Sequence, residues 1–390
     1  MEKGSAVKYA LLITSVGGFI SQFEMNDVKL LREYGFCVHY ASNFSRPVYR
    51  IDEEKLAHNG VILHQIVLRK SPFQLLENGR AIRQLSEIID QEKIDLIHCH
   101  TPMGGVAARL AAYMSKRNPY VIYTAHGFHF YHGAPLRNWI LYYTAERFLA
   151  RYTDQLITIN REDYLRAKTF RLKRGGSVAQ IHGVGVDFDR FQERAELRAA
   201  MRHRLEIPER GFHIVSAAEL NKNKNQKTII QSVAALDDSD IYYSICGGGP
   251  GEETLRRSIA ELGLDGRVRL LGYRDDLDAV LQSADCFAFP SFREGLGVAA
   301  IEALACGIPV LAADNRGTRE YMKDGVNGIV CKAGDVGAFA QAIKRLKTDE
   351  RFRRELSRNC RSSVYPQFSM EDVDWRMRRI YQAAVEALEG

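Results

Sequence analysis

Along the first half of the chain, short apolar runs alternate with amphipathic stretches. "KYALLITSV", "FCVHYAS", "IDLIHCH", "PYVIYTAHG", "TDQLITIN" and "SVAQIHGVGVD" read as strands. Between them "FEMNDVKLLREYG", "LENGRAIRQLSEIIDQEK", "GGVAARLAAYMSK" and "APLRNWILYYTAERFLARY" carry apolar residues at helical spacing. The pattern restarts with the strands "FHIVSAAEL", "IYYSICGGG", "VRLLGY", "DCFAFPS" and "PVLAAD", separated by further helices, and the remainder is mostly helical. Strand–helix alternation of this kind predicts parallel, doubly wound sheets. The expected fold is α/β, with two Rossmann-like domains facing a central cleft at the carboxyl ends of their strands. The expected division is residues 1–190, residues 191–370, and a helix over 371–390 that crosses back to the first domain. The break falls in "GVGVDFDRFQERAE", where glycines and charges displace the apolar runs.

Length agrees, since 390 residues exceed one ordinary core and suit two. The N-terminal "KYALLITSVGGFI" is broken by Thr14, Ser15, Gly17 and Gly18, which favours a first buried strand over a signal peptide. No run of 18 apolar residues occurs, so no membrane-spanning helix is expected. Seven scattered cysteines without a Cys-x-x-Cys pair point to reduced thiols in the cytosol rather than disulfides or a zinc ribbon.

The stretch "FREGLGVAAIEALACGIPVLA" concentrates the candidate chemistry. Glu294 precedes a glycine-broken turn and Glu302 lies inside the helix that follows, about 7 Å along its axis at 1.5 Å per residue. Gly295 and Gly297 let the backbone turn its N–H groups outward, and a helix start is an anion site suited to phosphate. A nucleotide sugar matches this layout, with its sugar and its ribose on opposite sides of the diphosphate. From spacing alone a second reading stays open, in which Glu302 is an ordinary buried helix acid and Glu294 a surface acid.

The segment resembles the Glu-x7-Glu signature of retaining glycosyltransferase family 4, a group of GT-B enzymes that build polysaccharides and glycolipids. "TSVGGF", "YTAHGFHF", "LNKNKNQ" and "ICGGGPGEE" resemble that family's other loops in the same order, and "TAHGFHFYHGAP" resembles the branch of bacterial capsule and exopolysaccharide transferases. The resemblance runs from about residue 8 to the C-terminus. It implies Glu294 beside the donor sugar, Glu302 on the ribose, and Leu296, Gly297 and Val298 offering backbone N–H groups to the diphosphate. It implies that Lys224 neutralises phosphate, that Gly18 binds the donor by supporting the acceptor side of its diphosphate, and that His126 meets the sugar's 6-position or lies below the anomeric carbon. Gly248 belongs to the glycine-rich turn, and Gly272, Tyr273 and Arg274 should hold the base; His100 and His129 are candidate acceptor contacts.

One position departs from the family. Glu219 stands where an arginine is usual, and an acid beside a diphosphate needs a partner, for which Lys222, Lys224 and Arg316 are the candidates. No metal or other cofactor is expected. Asp187 and Asp189 in "VDFDR" read as a turn and cap, and the glycine and aromatics around His126, His129 and His132 break any helix that would gather them.

The expected function is transfer of a sugar, with retention, from a nucleotide donor, UDP by expectation, to a glycan or polyprenyl-diphosphate-linked acceptor. The residues themselves leave two rivals: a nucleotide-sugar 2-epimerase of the same fold, and a non-catalytic polyanion binder. Residues 101–174 hold 12 basic against 4 acidic side chains, interleaved with aromatics. Nucleic acid is not an expected partner, for no nucleic-acid motif accompanies this charge. The expected location is cytoplasmic, with peripheral docking on an anionic membrane through Trp139, Tyr142, Tyr143 and Phe148 beside Arg137, Arg147 and Arg151.

Overall fold

Continuous apolar runs, unlike alternating ones, suit strands covered on both faces. Leu11, Leu12 and Ile13 in the second half of the first strand are wholly buried, as are Ile97 and Cys99 in a neighbouring one. The computed structural model describes residues 7–47 and 49–390. It divides the chain into two units: residues up to Val184 together with Val373–Gly390, and Gly185–Asp372.

The first unit carries β1 (Lys8–Ile13), β2 (Phe36–Ser42), β3 (Ile62–Gln65), β4 (Leu96–His100), β5 (Tyr120–Ala125), β6 (Gln155–Thr158) and β7 (Ser177–Gln180). They form one parallel sheet in the order β3-β2-β1-β4-β5-β6-β7. The second unit carries β8 (Phe212–Ala217), β9 (Ile241–Cys246), β10 (Val268–Gly272), β11 (Cys286–Phe289), β12 (Val310–Ala313) and β13 (Gly328–Cys331). They are also parallel, in the order β10-β9-β8-β11-β12-β13. Each sheet reverses its winding once, at β1/β4 and at β8/β11, the switch points where ligands of such sheets bind. Each has its own apolar core.

Two strands are additions to the sequence reading. β3 sits at an edge with Ile62 and Leu63 exposed, and β13 is a four-residue edge strand with its middle residues half-buried, so neither shows the buried apolar run of the central strands. The change of unit falls at Val184/Gly185. Val186 pairs with Ser369, donating its N–H to the Phe368 carbonyl at 2.8 Å and accepting from Met370 N–H at 3.0 Å, which fastens the linker to the second unit. Most of the last helix, Met370–Glu389, packs on the first unit: Tyr381 is wholly buried there and Arg378 pairs with Glu33 at 2.6 Å.

The stretch "APLRNWILYYTAERFLARY" is helical but not one α-helix. A π-turn, Trp139–Tyr143, separates Leu136–Asn138 from Thr144–Leu149, and a 3-10 turn, Ala150–Tyr152, ends it. The π-turn lets Trp139, Tyr142 and Tyr143 all pack against the core, which corrects the expectation that they face a membrane. Leu136, Ile140, Leu141 and Phe148 are the exposed apolar residues of this segment.

Candidate active site

In the second unit, the loops after β8, β9, β10 and β11 meet at the carboxyl edge of the sheet. β11 is followed by Ser291–Gly297 and then by the helix Val298–Ala305. Gly297 adopts φ +96°, and a β-carbon there would lie 2.6 Å from the Phe289 ring and 2.9 Å from the Tyr321 hydroxyl oxygen. Only glycine fits, in conformation and in space. Leu296 is buried, and Val298 is the first helical residue, so the helix start faces the strand end as the spacing requires. The first N–H groups of a helix lack intrahelical partners and carry its positive end.

The loop after β8 is zipped onto this turn. Asn223 Nδ2 donates to the Arg293 carbonyl at 2.8 Å, Phe292 N–H to the Asn223 carbonyl at 2.9 Å, and Asn225 Nδ2 to the Pro290 carbonyl at 3.1 Å. The result places Lys224 Nζ 2.7 Å from Glu294 Oε1, both largely buried. Arg316 Nε donates to the Glu294 carbonyl at 3.3 Å, so the acid is held from backbone and side chain alike. The expectation that Glu219 pairs with Lys222, Lys224 or Arg316 needs correction at Lys224. Glu219 is exposed and its carboxylate accepts from Asn221 Nδ2 at 3.0 Å, while Lys224 is drawn to Glu294 by the zipped loop.

The glycine-rich turn after β9 lies against the same loop. β-Carbons at Gly247 and Gly249 would fall 2.0 Å from the Ala218 carbonyl oxygen and 2.7 Å from the Leu220 carbonyl oxygen. Gly248, singled out from the sequence, would meet nothing, although its carbonyl accepts from Leu220 N–H at 2.9 Å. The steric demand therefore belongs to its neighbours. After β10, the Gly272 carbonyl accepts from Gly247 N–H at 2.7 Å, Tyr273 is 70% exposed, and Arg274 is bound to Asp276 by two hydrogen bonds of 2.7 and 2.6 Å. Arg274 thus braces its own turn.

Glu302 is partly buried on the helix Val298–Ala305. Burial pushes its carboxyl up to about 7, against the pull of Arg190, and Asp278 adds to the rise. Arg190 donates to Asp278 Oδ1 at 3.2 Å and to the Asp275 carbonyl at 2.6 Å. Sequence reasoning missed Arg190 and Asp278 because neither stands in a motif. Asp187 accepts from the N–H groups of Asp189 and Arg190, both at 3.0 Å, the turn role read from the sequence.

In the first unit, Gly18, His100 and His126 lie at the carboxyl ends of β1, β4 and β5. Gly18 has φ +83°, and a β-carbon there would lie 2.3 Å from the Tyr49 carbonyl oxygen. His100 Nδ1 is 3.1 Å from His126 Nε2, and the Phe19 ring lies 5.2 Å from that of His126. His129 does not join them; its ring packs on Tyr142 at 4.8 Å, and His132 donates its N–H to Glu162. Two acids that sequence reasoning passed over complete the group. Glu24 Oε1 is 3.5 Å from His126 Nε2, and Asp27 Oδ2 is 3.4 Å from His98 Nδ1. Burial holds Glu24 well above the usual carboxylate range, with Asp27 adding to it, and pushes Asp27 up to about 7. Burial also lowers His98 to about 3 and His126 to about 4, so burial works against charge on both the acids and the histidines of the cluster. The visible signal was the spacing of Glu24 and Asp27, three apart beside a helix start.

Known proteins match the chain over most of its length. Residues 10–160 match the description Glycosyl transferase 4-like, and residues 198–363 match Glycosyl transferases group 1. Over 383 residues the chain is 38% identical to the putative glycosyltransferase EpsD of Bacillus subtilis (strain 168), covering 97% of each. The chain belongs to this glycosyltransferase family. The glycosyltransferase is also 25% identical, over 76% of its length and 78% of the relative's, to the UDP-Gal:alpha-D-GlcNAc-diphosphoundecaprenol alpha-1,3-galactosyltransferase of Escherichia coli. Its fold is that of Anabaena Alr3699/HepE, solved with UDP and glucose: TM-score 0.78, 17% identity, 97% of this chain and 100% of that one. The GT-B glycosyltransferase fold expected from the sequence is therefore the fold observed. Among the described residues, no helix is long and apolar enough to cross a membrane.

Proposed function

We infer that this glycosyltransferase moves a sugar, with retention at the anomeric carbon, from a UDP-sugar to a glycan or polyprenyl-diphosphate-linked acceptor in cell-surface polysaccharide synthesis. The observation that carries the reading is the Lys224–Glu294 pair, 2.7 Å apart beside the glycine-started helix Val298–Ala305. A lysine and a helix start suit a diphosphate, and a carboxylate held against them suits the hydroxyls of the attached sugar. Glu302, farther along the helix, suits the ribose diol. The Escherichia coli relative, named for UDP-Gal and diphosphoundecaprenol, and the Anabaena protein, solved with UDP, support the choice of donor and acceptor class.

In the reaction the bond from the anomeric carbon to the diphosphate oxygen breaks, its electron pair leaving with UDP. The acceptor oxygen bonds to the same face of that carbon, and its proton passes to the departing phosphate. Lys224 and the helix start stabilise the charge that develops on the leaving group, the role that usually supplies the largest part of such a rate enhancement. The donor diphosphate then needs no metal ion. His126 is assigned to the donor sugar and Gly18 to the acceptor-facing side of the donor diphosphate, on the family resemblance; His100, a candidate acceptor contact from its place at the strand end, is wholly buried and takes no acceptor role. The exposed Leu136, Ile140, Leu141 and Phe148 beside Arg137, Arg147 and Arg151 suit peripheral docking on an anionic membrane.

A panel of UDP-sugars is incubated with the enzyme, with and without polyprenyl-diphosphate-linked sugars, and UDP release and the product's anomeric configuration are followed. Release that depends on acceptor, with a retained anomeric centre, is expected. Release that ignores every acceptor and yields a 2-epimeric sugar would overturn the reading.

A further inference from the structure

The cluster in the first unit has the geometry of a cation site. His100 Nδ1, His126 Nε2 and Glu24 Oε1 form a triangle with sides of 3.1, 3.5 and 3.7 Å. A tetrahedral ion with bonds of about 2.0–2.1 Å places its donors about 3.3 Å apart, so the three atoms need only small shifts to share one. His126 keeps its side chain 25% exposed, which leaves a fourth position open to solvent, while His100 is wholly buried.

A second, independent feature lies behind His100. Its other ring nitrogen, Nε2, is buried without a hydrogen-bond partner. Asp27 Oδ2 stands 3.8 Å from it. When Nδ1 binds a metal, Nε2 carries the proton and needs an acceptor, and a carboxylate behind a ligating histidine is the usual arrangement. Charge points the same way. Among the described residues, the ion-pair partners of Glu24 and Asp27 are histidines, with no lysine or arginine. Burial works against ionising either acid, and a divalent ion would supply the counter-charge that their ionised forms need.

We propose a divalent transition-metal site in the first unit, with Glu24, His100 and His126 as ligands and Asp27 orienting His100. Two imidazoles and one carboxylate suit zinc and its neighbours rather than magnesium or calcium. The site is distinct from the charge stabilisation assigned to the donor diphosphate and stands whether or not the donor reading holds. An ion on His126 Nε2 withdraws that nitrogen from other hydrogen bonds, so the site is a point at which zinc restrains the enzyme rather than one the transfer requires.

The test uses the full chain, stripped with a chelator and titrated with Co2+ while its visible d–d absorption is followed. An intense band of low-symmetry cobalt is expected, saturating at one ion per chain and erased by Zn2+. Glu24→Gln and His126→Gln should lose it, Asp27→Asn should weaken binding by about 10–100-fold, and His64→Ala, outside the cluster, should not change it. Melting in chelator shows which variants are folded. Absence of a saturable band in the wild-type protein overturns the proposal, as does unchanged affinity in folded Glu24→Gln and His126→Gln.

Discussion

Lys224 Nζ lies 2.7 Å from Glu294 Oε1, although the two residues come from loops on different strands and are 70 positions apart. The pair makes the two side chains one unit, each setting the charge the other presents. Glu294→Gln is expected to lower turnover by roughly 10²–10³-fold, the scale of removing one electrostatic stabiliser. Lys224→Ala should lose a comparable amount, and the double variant much less than the product of the two losses. Steady-state kinetics on the four proteins check this, and fully multiplicative losses would mean that the pair does not act together.

Glu302 gives a pH dependence. Its carboxyl is raised from 4.5 to about 7, so near neutrality the free enzyme holds a mixture of protonated and ionised forms. A ribose diol donates to the ionised form, so UDP should bind more tightly as pH rises through about 7. Stability moves the other way: the folded protein holds this proton more tightly than the unfolded chain, so the contribution falls as pH rises from 4.5 to about 7. Calorimetric UDP titrations from pH 5.5 to 8.5 should show the rise in the wild-type protein and lose it in Glu302→Gln.

Chelation should not lower turnover, because Lys224 and the start of the helix Val298–Ala305 meet the diphosphate's charge. Assays with and without EDTA decide this. Loss of activity restored by Mg2+ would return Asp187 and Asp189 to consideration as metal ligands, despite their turn geometry.

Membrane docking is expected through Leu136, Ile140 and Phe148 with the adjacent arginines. Cosedimentation with anionic liposomes should be strong at low salt and fade by about 0.5 M, where the Debye length falls to only a few ångström. An Arg137/Arg147/Arg151→Glu variant, or Ile140→Asp, should remain in the supernatant. Equal recovery with neutral and anionic liposomes would rule the docking out.

Much of this is legible in the amino-acid sequence. Gly297 sits where a side chain would collide with Phe289 and Tyr321, so the glycine in "REGLG" carried its structural meaning openly. The buried strands likewise announced themselves as unbroken apolar runs. What the sequence hid was pairing across loops. Nothing in "LNKNKNQ" tells whether Lys224 reaches Glu219, five residues away, or Glu294, 70 away; the asparagine zipper onto residues 290–293 decides it. Trp139, Tyr142 and Tyr143 were obscured for another reason, since the π-turn shifts the helical register and brings all three against the core. Glu24 and Asp27 belonged to no recognised motif, and their three-residue spacing acquired meaning when β4 and β5 brought three histidines close to them.

The central claim is that the two acids of the Glu-x7-Glu segment divide the donor between them, Glu302 on the nucleoside and Glu294 on the sugar. Calorimetric binding of UDP alone to wild-type, Glu302→Ala and Glu294→Gln proteins tests it without any knowledge of the acceptor. Glu302→Ala should weaken UDP by about 10–100-fold, the scale of hydrogen bonds to a charged group, while Glu294→Gln should bind UDP no more weakly than wild type. Wild-type UDP affinity in Glu302→Ala, or an equal loss in both variants, would contradict it.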